Sequence, residues 1–397
     1  MTWQPPRAPR GVDDILPDQV PAWRRIETTA RDVCERYGYR EIRIPLFEST
    51  ELYVRGMGEV TDVVEKEMFC VSGSAKAAPE GKEREDFSLR PEFTAGIVRA
   101  YREHSLDKRV GFMKVYAMGP LFRYERPQKG RLRQFHQINV EALATSDPYV
   151  DVEAIALARD IVTGLGIPGF RVRLNSIGHE APECRQAYRD LLKERLAPRL
   201  GELCDLCKQR YERNIFRVLD CKRCAEKTAD LPPMAEHLCA PCAEHFATVK
   251  AGLERLDVRF AVDARLVRGF DYYTHTVFEF PCDRLGAQDA LGGGGRYDKL
   301  IPDMGGPDVG ACGFALGMER ILLALADPAE KQAGAPAAVA VRPKAVFVAA
   351  TPDPRARGAA FDLAQRLRAA GLEADLDHEG RSLKSQLKGA NKEGFGF

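Results

Sequence analysis

The sequence predicts an α+β protein: an antiparallel sheet flanked by helices, with a helical insertion and a partial α/β unit at its C-terminal end. Three observations carry the prediction. Residues 114–125 and 135–144 read as strands joined by a basic, glycine-containing loop, which makes an antiparallel hairpin. The stretch 180–257 is largely helical in pattern, charged, and interrupted by cysteine pairs. An Ala/Pro-rich segment, "DPAEKQAGAPAAVAVRP" (327–343), separates everything before it from a short strand–helix–strand pattern.

Composition sets the outer limits. The chain has 397 residues, 45% apolar and 29% charged, with a formal net charge of +1. That is room for two or three domains, and the near-neutral balance requires any nucleic-acid partner to be met by local basic patches. No apolar run reaches the length of a membrane span, and no apolar segment follows the first charges as in a secretory signal. Eleven cysteines in such a chain read as thiols or metal ligands before disulfides, and the expected compartment is the cytoplasm.

The elements follow in order. Residues 22–37 place Trp23, Ile26, Ala30, Val33, Cys34 and Tyr37 at helical spacing, with Gly38 as the stop. "YREIRIPLFES" alternates Ile42 and Ile44 with charged residues as a strand that Pro45 ends or confines to an edge. "LRPEFTAGIVRAY" turns at Pro91 into a helix. In the second hairpin strand Gln137, Asn139 and Glu141 share one face, and Ile138, Val140 and Ala142 the other. A helix is expected over 151–165. After the cysteine-rich stretch come "LVRGFDYYTHTVFEF" (266–280), "LGGGGRYDKL", and a glycine-rich strand feeding an apolar helix, "GACGFALGMERILLALAD". Beyond the cysteine pairs there is no internal repeat.

The chemistry is concentrated in a few places. Arg123, Arg126, Lys129, Arg131 and Arg133 fall within eleven residues. Arginine forks match phosphate oxygens in pairs, although a basic turn also serves simply as a solvated surface. The polar strand face beside it favours phosphate. Glu92 and Thr94 offer an acceptor and a hydroxyl suited to an ammonium group, or an ordinary helix start. Arg320 opens an apolar helix and needs a partner if buried, or sits at its wet end. The four glycines 292–295 admit close backbone approach by a ligand, or form a hairpin turn. No Ser/His/Asp arrangement or HExxH is present, and the seven histidines show no ligand spacing. Arginine, acid, glutamine and tyrosine bind a zwitterion and a polyphosphate rather than supply a nucleophile.

These residues carry a resemblance. "GPLFRYERPQKGRLRQFHQINVEA" resembles motif 2 of class II aminoacyl-tRNA synthetases, "GFALGMERILLAL" motif 3, and the helix–strand–Pro45 unit motif 1. "LVRGFDYYTHTVFEF" and "LGGGGRYD" resemble the two signatures of the bacterial-type histidyl-tRNA synthetase family, and the likeness runs from about residue 5 to 395. It implies a class II catalytic domain (1–179 and 258–328), a helical insertion domain (180–257), a linker (329–343) and an anticodon-binding-like domain (344–397) with only about 53 residues before the sequence stops. The implied reaction joins L-histidine to ATP with Mg²⁺, giving histidyl-adenylate, and transfers the histidyl group to tRNA(His). The resemblance implies that Arg268 faces the α-phosphate and carboxylate, that Arg123 grips the α-phosphate, and that Arg320 grips the γ-phosphate with Arg131 nearby. Glu141 and Tyr273 would hold the imidazole; Glu92, Thr94 and Gln137 the α-amino group; Tyr272 and Tyr297 would complete the pocket. Arg126 and Gln128 would meet the acceptor stem, and a homodimer would form through the motif 1 region.

One feature stands apart from the family pattern. Cys204-x2-Cys207, Cys221-x2-Cys224 and Cys239-x2-Cys242 are paired knuckles, and the first four match the spacing of a structural Zn²⁺ site. Cys34, Cys70, Cys184, Cys282 and Cys312 read as small buried residues. The alternative function, from a different class, is a histidine-binding regulatory paralogue of ATP phosphoribosyltransferase.

Overall fold

The computed structural model describes residues 5–58, 61, 63–71, 86–270, 272–286, 289–326 and 345–396. The chain divides into two compact units, residues 1–327 and 328–397. The linker expected at 329–343 lies outside the described residues.

In the first unit, α1 (Val20–Arg36) buries Trp23, Ile26, Ala30, Val33 and Cys34 on one stripe, and Gly38 at φ +80° turns the chain out of the helix. β1 (Arg40–Glu41) and β2 (Phe47–Ser49) follow, so the strand expected through Ile42 and Ile44 is broken into two short pieces. Arg90 explains the break. Its guanidinium donates to the carbonyls of Ile44, Pro45 and Pro120 at 2.8, 3.3 and 2.9 Å, serving backbone acceptors that a proline-interrupted ladder would leave open. After α2 (Thr50–Met57), β3 (Cys70–Val71) and β4 (Phe87–Leu89) pair with β2 in a small sheet of order β2-β4-β3.

α3 (Thr94–Glu103) and α4 (Leu106–Arg109) lead into the hairpin β5 (Met113–Phe122) and β6 (Gln134–Leu143), antiparallel in the register Met113↔Leu143 to Phe122↔Gln134. Asp147 caps α5 (Pro148–Gly164) by accepting from the Tyr149 N–H. Between β7 (Val172–Ser176) and β8 (Phe260–Val262) stands a helical stretch with α6 (Ala187–Leu196), α7 (Asp205–Arg213) and α8 (Ala240–Arg255). Then come β9 (Thr274–Pro281), β10 (Ala290–Arg296), α9 (Leu300–Asp303), β11 (Ala311–Gly317) and α10 (Met318–Leu325).

Eight strands join in one sheet, order β1-β5-β6-β11-β10-β9-β7-β8. It is antiparallel through its centre, with the parallel pairs β1–β5 and β7–β8 at the two edges. The glycine run 292–295 is therefore a central strand and not a turn. One face of the sheet is apolar: Ile138, Val140 and Ala142 of β6 pack into a core with Ile26, Ile155 and Ile321 of α1, α5 and α10. Stabilisation of this order, about 25 cal/mol per Å² of apolar surface removed from water, fixes the register and turns Gln137, Asn139 and Glu141 to the opposite face.

At one side of that core, Arg296 and Asp151 form an ion pair at 2.6 Å with both side chains fully buried, and His245 Nε2 lies 2.7 Å from the other carboxylate oxygen. Burial pushes the Asp151 carboxyl up, but Arg296 and His245 outweigh it and hold it well below the ordinary carboxylate range. In the second unit β12 (Ala345–Val348) and β13 (Glu373–Leu376) pair in parallel. α11 (Pro354–Ala369), capped by Asp353, connects the two strands, and α12 (Leu383–Lys392) follows β13.

Candidate active site

The polar face of the sheet forms the floor of a pocket. β6 contributes Gln137, Asn139 and Glu141; across the ladder stand Gly317, Ala315 and Gly313 of β11. The small partners make the space. A Cβ on Gly313 would overlap Glu141 Oε2, and one on Gly293 would lie 2.9 Å from Arg268 Nη1. Glycine in these strands is the absence of a side chain where a ligand must fit.

Glu141 is the deepest acid, 1% exposed. Its Oε1 accepts the Thr94 hydroxyl at 2.5 Å, while Oε2 is buried and meets no hydrogen-bond donor among the described residues. Burial pushes its carboxyl up to about 8. Glu92 lies beside it at the start of α3 and accepts the N–H groups of Thr94 and Ala95 at 2.6 and 2.7 Å, so it caps the helix and faces the pocket together. Burial raises Glu92 too, against the pull of those hydrogen bonds and of Arg123.

One wall is aromatic. The Tyr272 ring centroid is 4.7 Å from that of Tyr273 and 5.4 Å from that of Tyr297, and Phe270 stacks on Tyr272 at 5.3 Å. The Tyr297 hydroxyl is buried without a hydrogen-bond partner among the described residues. Arg268 comes from the same segment, with Nη1 3.2 Å from Glu279 and its guanidinium 5.9 Å from the Tyr273 ring centroid. Its Nε is buried and unmatched.

The other end is basic. Arg123 donates to the Pro91 carbonyl at 3.0 Å and lies 5.2 Å from the Phe135 ring centroid. Arg320 donates to the carbonyls of Gly130 and Ala290 at 3.2 and 2.7 Å. Burial lowers the Arg320 guanidinium, and the positive charges of Arg131 and Arg123 add to the effect. Arg131 pairs with Glu125 at 3.1 Å. With Arg268, four arginines gather at this end beside Glu125 and Glu319, a local excess of positive charge that calls for an anion, while Glu92 and Glu141 set the acids at the other end.

All eleven residues named from the sequence as histidine- or ATP-facing line this pocket: Glu92, Thr94, Arg123, Arg131, Gln137, Glu141, Arg268, Tyr272, Tyr273, Tyr297 and, at the basic end, Arg320. Arg126 and Gln128 are exposed and stand outside the lining. Gln128 and Arg131 exchange backbone hydrogen bonds across a tight turn at Lys129–Gly130. Arg133 is a brace, donating to the Glu125 carbonyl and lying 4.1 Å from the Tyr124 ring centroid. Sequence reasoning did not single out Glu125, which follows Arg123 at strand spacing, or Gly313, which sits opposite Glu141 in the ladder.

Two cysteine readings change. Cys70 is exposed, and Cys184 is part of a cluster with Cys242 and His179. Helix packing brings together groups far apart in the chain, so histidine spacing in sequence concealed His179. Separately, Cys204, Cys207, Cys221 and Cys224 bring their sulfurs within 4.8 Å of one another.

A profile of the family described as Histidyl-tRNA synthetase matches residues 11–321. The "Histidine--tRNA ligase" of Moorella thermoacetica is 48% identical over 389 residues, covering 97% of this chain and 87% of that protein. The crystal structure of apo Staphylococcus aureus histidyl-tRNA synthetase superposes with a TM-score of 0.76 at 32% identity, over 98% of this chain and 89% of that one. A Bacillus halodurans protein described as an ATP phosphoribosyltransferase regulatory subunit/histidyl-tRNA synthetase shares the fold alone, with a TM-score of 0.67 at 21% identity over 97% and 96% of the two chains.

Proposed function

The chain belongs to the histidyl-tRNA synthetase family and acts as an ATP-dependent histidine–tRNA ligase, and from that premise we propose how its pocket divides the work. The observation that carries the assignment is Glu141 Oε2, a buried acceptor with no donor in a space kept open by Gly313. A neutral imidazole presents one N–H and one bare nitrogen. Glu141 takes the N–H, and the Tyr273 hydroxyl, or that of Tyr297, serves the other nitrogen. Glu92, Thr94 and Gln137 receive the α-ammonium, with Glu92 supplying charge and the other two direction.

This leaves the histidine carboxylate facing the arginines. Arg268 and Arg123 hold it against the α-phosphorus of ATP and spread the charge that grows on the phosphoryl oxygens as the carboxylate attacks and pyrophosphate leaves. Arg320 and Arg131 take the outer phosphates. Aminoacyl-tRNA synthetases use ATP with Mg²⁺, which shields the phosphate charge; Glu125, paired through Oε2 with Arg131 at 3.1 Å, is the carboxylate on this wall that would hold it once Arg131 turns to the phosphates. No side chain is required as general base, because the nucleophile is already an anion. The terminal ribose hydroxyl of tRNA(His) then takes the histidyl group and releases AMP. The exposed Arg126 and Gln128 at the hairpin tip meet the acceptor stem.

Residues 1–179 and 258–328 make the catalytic domain in this reading, 180–257 the insertion domain, and 344–397 the anticodon-side domain. The motif 1 segment carries exposed Leu46 (47%) and Phe47 (52%), which a second copy of the chain would cover in a homodimer. Among the described residues no helix is long and apolar enough to cross a membrane, and the cytoplasm is the compartment proposed. Cys204, Cys207, Cys221 and Cys224 fit structural Zn²⁺: Cys204 Sγ and Cys221 Sγ are 3.8 Å apart, and tetrahedral zinc–thiolate bonds place sulfurs about 3.8 Å apart. The regulatory alternative is disfavoured by the high identity to a ligase over nearly the whole chain.

The deciding experiment is ATP–pyrophosphate exchange with each of the twenty amino acids. Exchange with histidine alone supports the assignment; exchange with another amino acid, or histidine binding without exchange, sinks it.

A further inference from the structure

We infer that His179, Cys184, Cys239 and Cys242 form a second tetrahedral metal site, separate from the Cys204 set, which takes Zn²⁺ through one imidazole nitrogen and three thiolates. The four ligand atoms lie within 4.8 Å of one another. His179 Nδ1 is 2.9 Å from Cys242 Sγ and 3.6 Å from Cys239 Sγ, and Cys184 Sγ is 3.7 Å from Cys242 Sγ. Zinc bonds of about 2.3 Å to sulfur and 2.0 Å to nitrogen, at tetrahedral angles, separate sulfurs by about 3.8 Å and nitrogen from sulfur by about 3.5 Å. The side chains need to move by no more than about 1 Å to close on one ion.

The local chain geometry is that of two knuckles. Cys239 is the N-cap residue of α8 and Cys242 lies in its first turn, giving a C-x2-C pair on a helix start. His179 and Cys184 come from the loop after β7, as H-x4-C. Cys184 and Cys242 are fully buried and neither is in a disulfide. Three reduced thiols and an imidazole converge here, and thiols that give up their protons supply the negative charge a buried dication requires. Each thiol gives up its proton to solvent on binding, and the imidazole binds neutral.

The surroundings suit an ion as well. The His275 ring stacks on His179 at 5.6 Å with planes 5° apart, and its Nδ1 is 3.6 Å from Cys242 Sγ, placed to donate to a thiolate. Arg185, next to Cys184, donates to the Tyr273 carbonyl at 2.8 Å. The site thus ties both ends of the helical stretch to the strand that carries the tyrosine wall. Its role is structural, since three cysteines and one histidine leave no open position.

The test is metal content of the full chain, purified without chelators from zinc-supplemented culture. Wild type should carry two zinc ions per chain, Cys204→Ser/Cys207→Ser one, and Cys239→Ser/Cys242→Ser one. Cobalt loaded into Cys204→Ser/Cys207→Ser should give the visible spectrum of a three-sulfur, one-nitrogen tetrahedral site, and His179→Cys should shift it toward that of a four-sulfur site. If only the Cys204 variant lowers the count, from one to none, the second site is refuted and the first stands. One ion retained in the Cys204→Ser/Cys207→Ser variant and lost on adding Cys239→Ser/Cys242→Ser keeps the second site whatever the first proves to be. Should the serine variants not fold, stepwise zinc release from wild type with a mercurial reagent gives the same count. A Cys239–Cys242 disulfide found by mass spectrometry in freshly reduced-handled protein overturns the proposal.

Discussion

Glu141 and Gly313 face each other across β6 and β11, and the carboxylate oxygen that meets no donor occupies the volume a Cβ on Gly313 would need. Gly313→Ala therefore should close the imidazole end of the pocket. We expect histidine-dependent exchange to fall by about 100-fold or more, the loss expected when a buried hydrogen-bonding site is left unmatched. Measuring histidine and ATP affinities separately checks it: ATP binding should change far less than histidine binding.

The Glu141 carboxyl also predicts a pH effect. Its value is raised by burial from the ordinary carboxylate range to about 8, so the folded chain holds a proton that the unfolded chain has lost. Its contribution to stability is thus full below about pH 4.5 and is lost as pH rises to about 8. Glu141→Gln should remove that loss, being more stable than wild type at pH 8 by on the order of a few kcal/mol and so unfolding at a higher temperature there, and at a similar one at pH 5. The same variant should bind histidine poorly. Thermal scans at the two pH values without ligand are the measurement, and equal gains at both would reject the explanation.

Arg268 is charged, lines the pocket, and is braced by Glu279 and the Tyr273 ring. Arg268→Ala should lower exchange by about 10²–10³-fold while leaving the far-ultraviolet circular dichroism unchanged, because its loss leaves Glu279 part-exposed rather than stranded. Near-normal exchange would remove Arg268 from the adenylation step.

The Tyr297 hydroxyl is buried without a partner, whereas its ring packs against Tyr272 and Tyr273. Tyr297→Phe keeps the packing and removes the unmatched group. Stability should hold or rise by up to about 1 kcal/mol, and the KM for histidine should rise, by about tenfold for one neutral hydrogen bond. A fall in stability with an unchanged KM would show that the hydroxyl belongs to the fold and not to the ligand.

Asp151 and Arg296 give the opposite pH behaviour to Glu141. The Asp151 carboxyl is held well below its usual range, so its stabilising contribution is present above about pH 4 and is lost as pH falls below that. Asp151→Ala takes the fully buried carboxylate from Arg296 and leaves it the Asp298 carboxylate at 3.1 Å, and should cost about 3 kcal/mol at pH 7. Denaturant titration at pH 7 gives the number, and acid titration of the variant should lack the corresponding unfolding limb.

Much of the site was legible because it lies on one strand face. Gln137 and Glu141 are four residues apart in β6, and alternation alone puts them together once Ile138, Val140 and Ala142 are assigned to the core. Arg320 was visible as a charge at the start of an apolar helix. What could not be read depends on distance along the chain. Cys184 and Cys242 are 58 residues apart and meet only because α8 returns to the loop after β7. The glycines of β10 carry no strand-forming side chain, so their place at the centre of the sheet follows from the neighbours that crowd them. The break at Ile42–Leu46 depends on a single arginine from elsewhere.

That arginine has a mechanical meaning. Arg90 donates its side chain to Ile44, Pro45 and Pro120, its own N–H to the Leu46 carbonyl, and its carbonyl accepts from the Phe122 N–H. It stands two residues before Glu92. Because one planar, inflexible group ties its own segment to two other stretches of backbone, at Ile44–Pro45 and at Pro120, none can shift by more than a hydrogen-bond length without dragging the others. The edge bearing Leu46 and Phe47, the root of the hairpin and the acid at the mouth of the pocket consequently move as one lever, with its fulcrum at a single guanidinium.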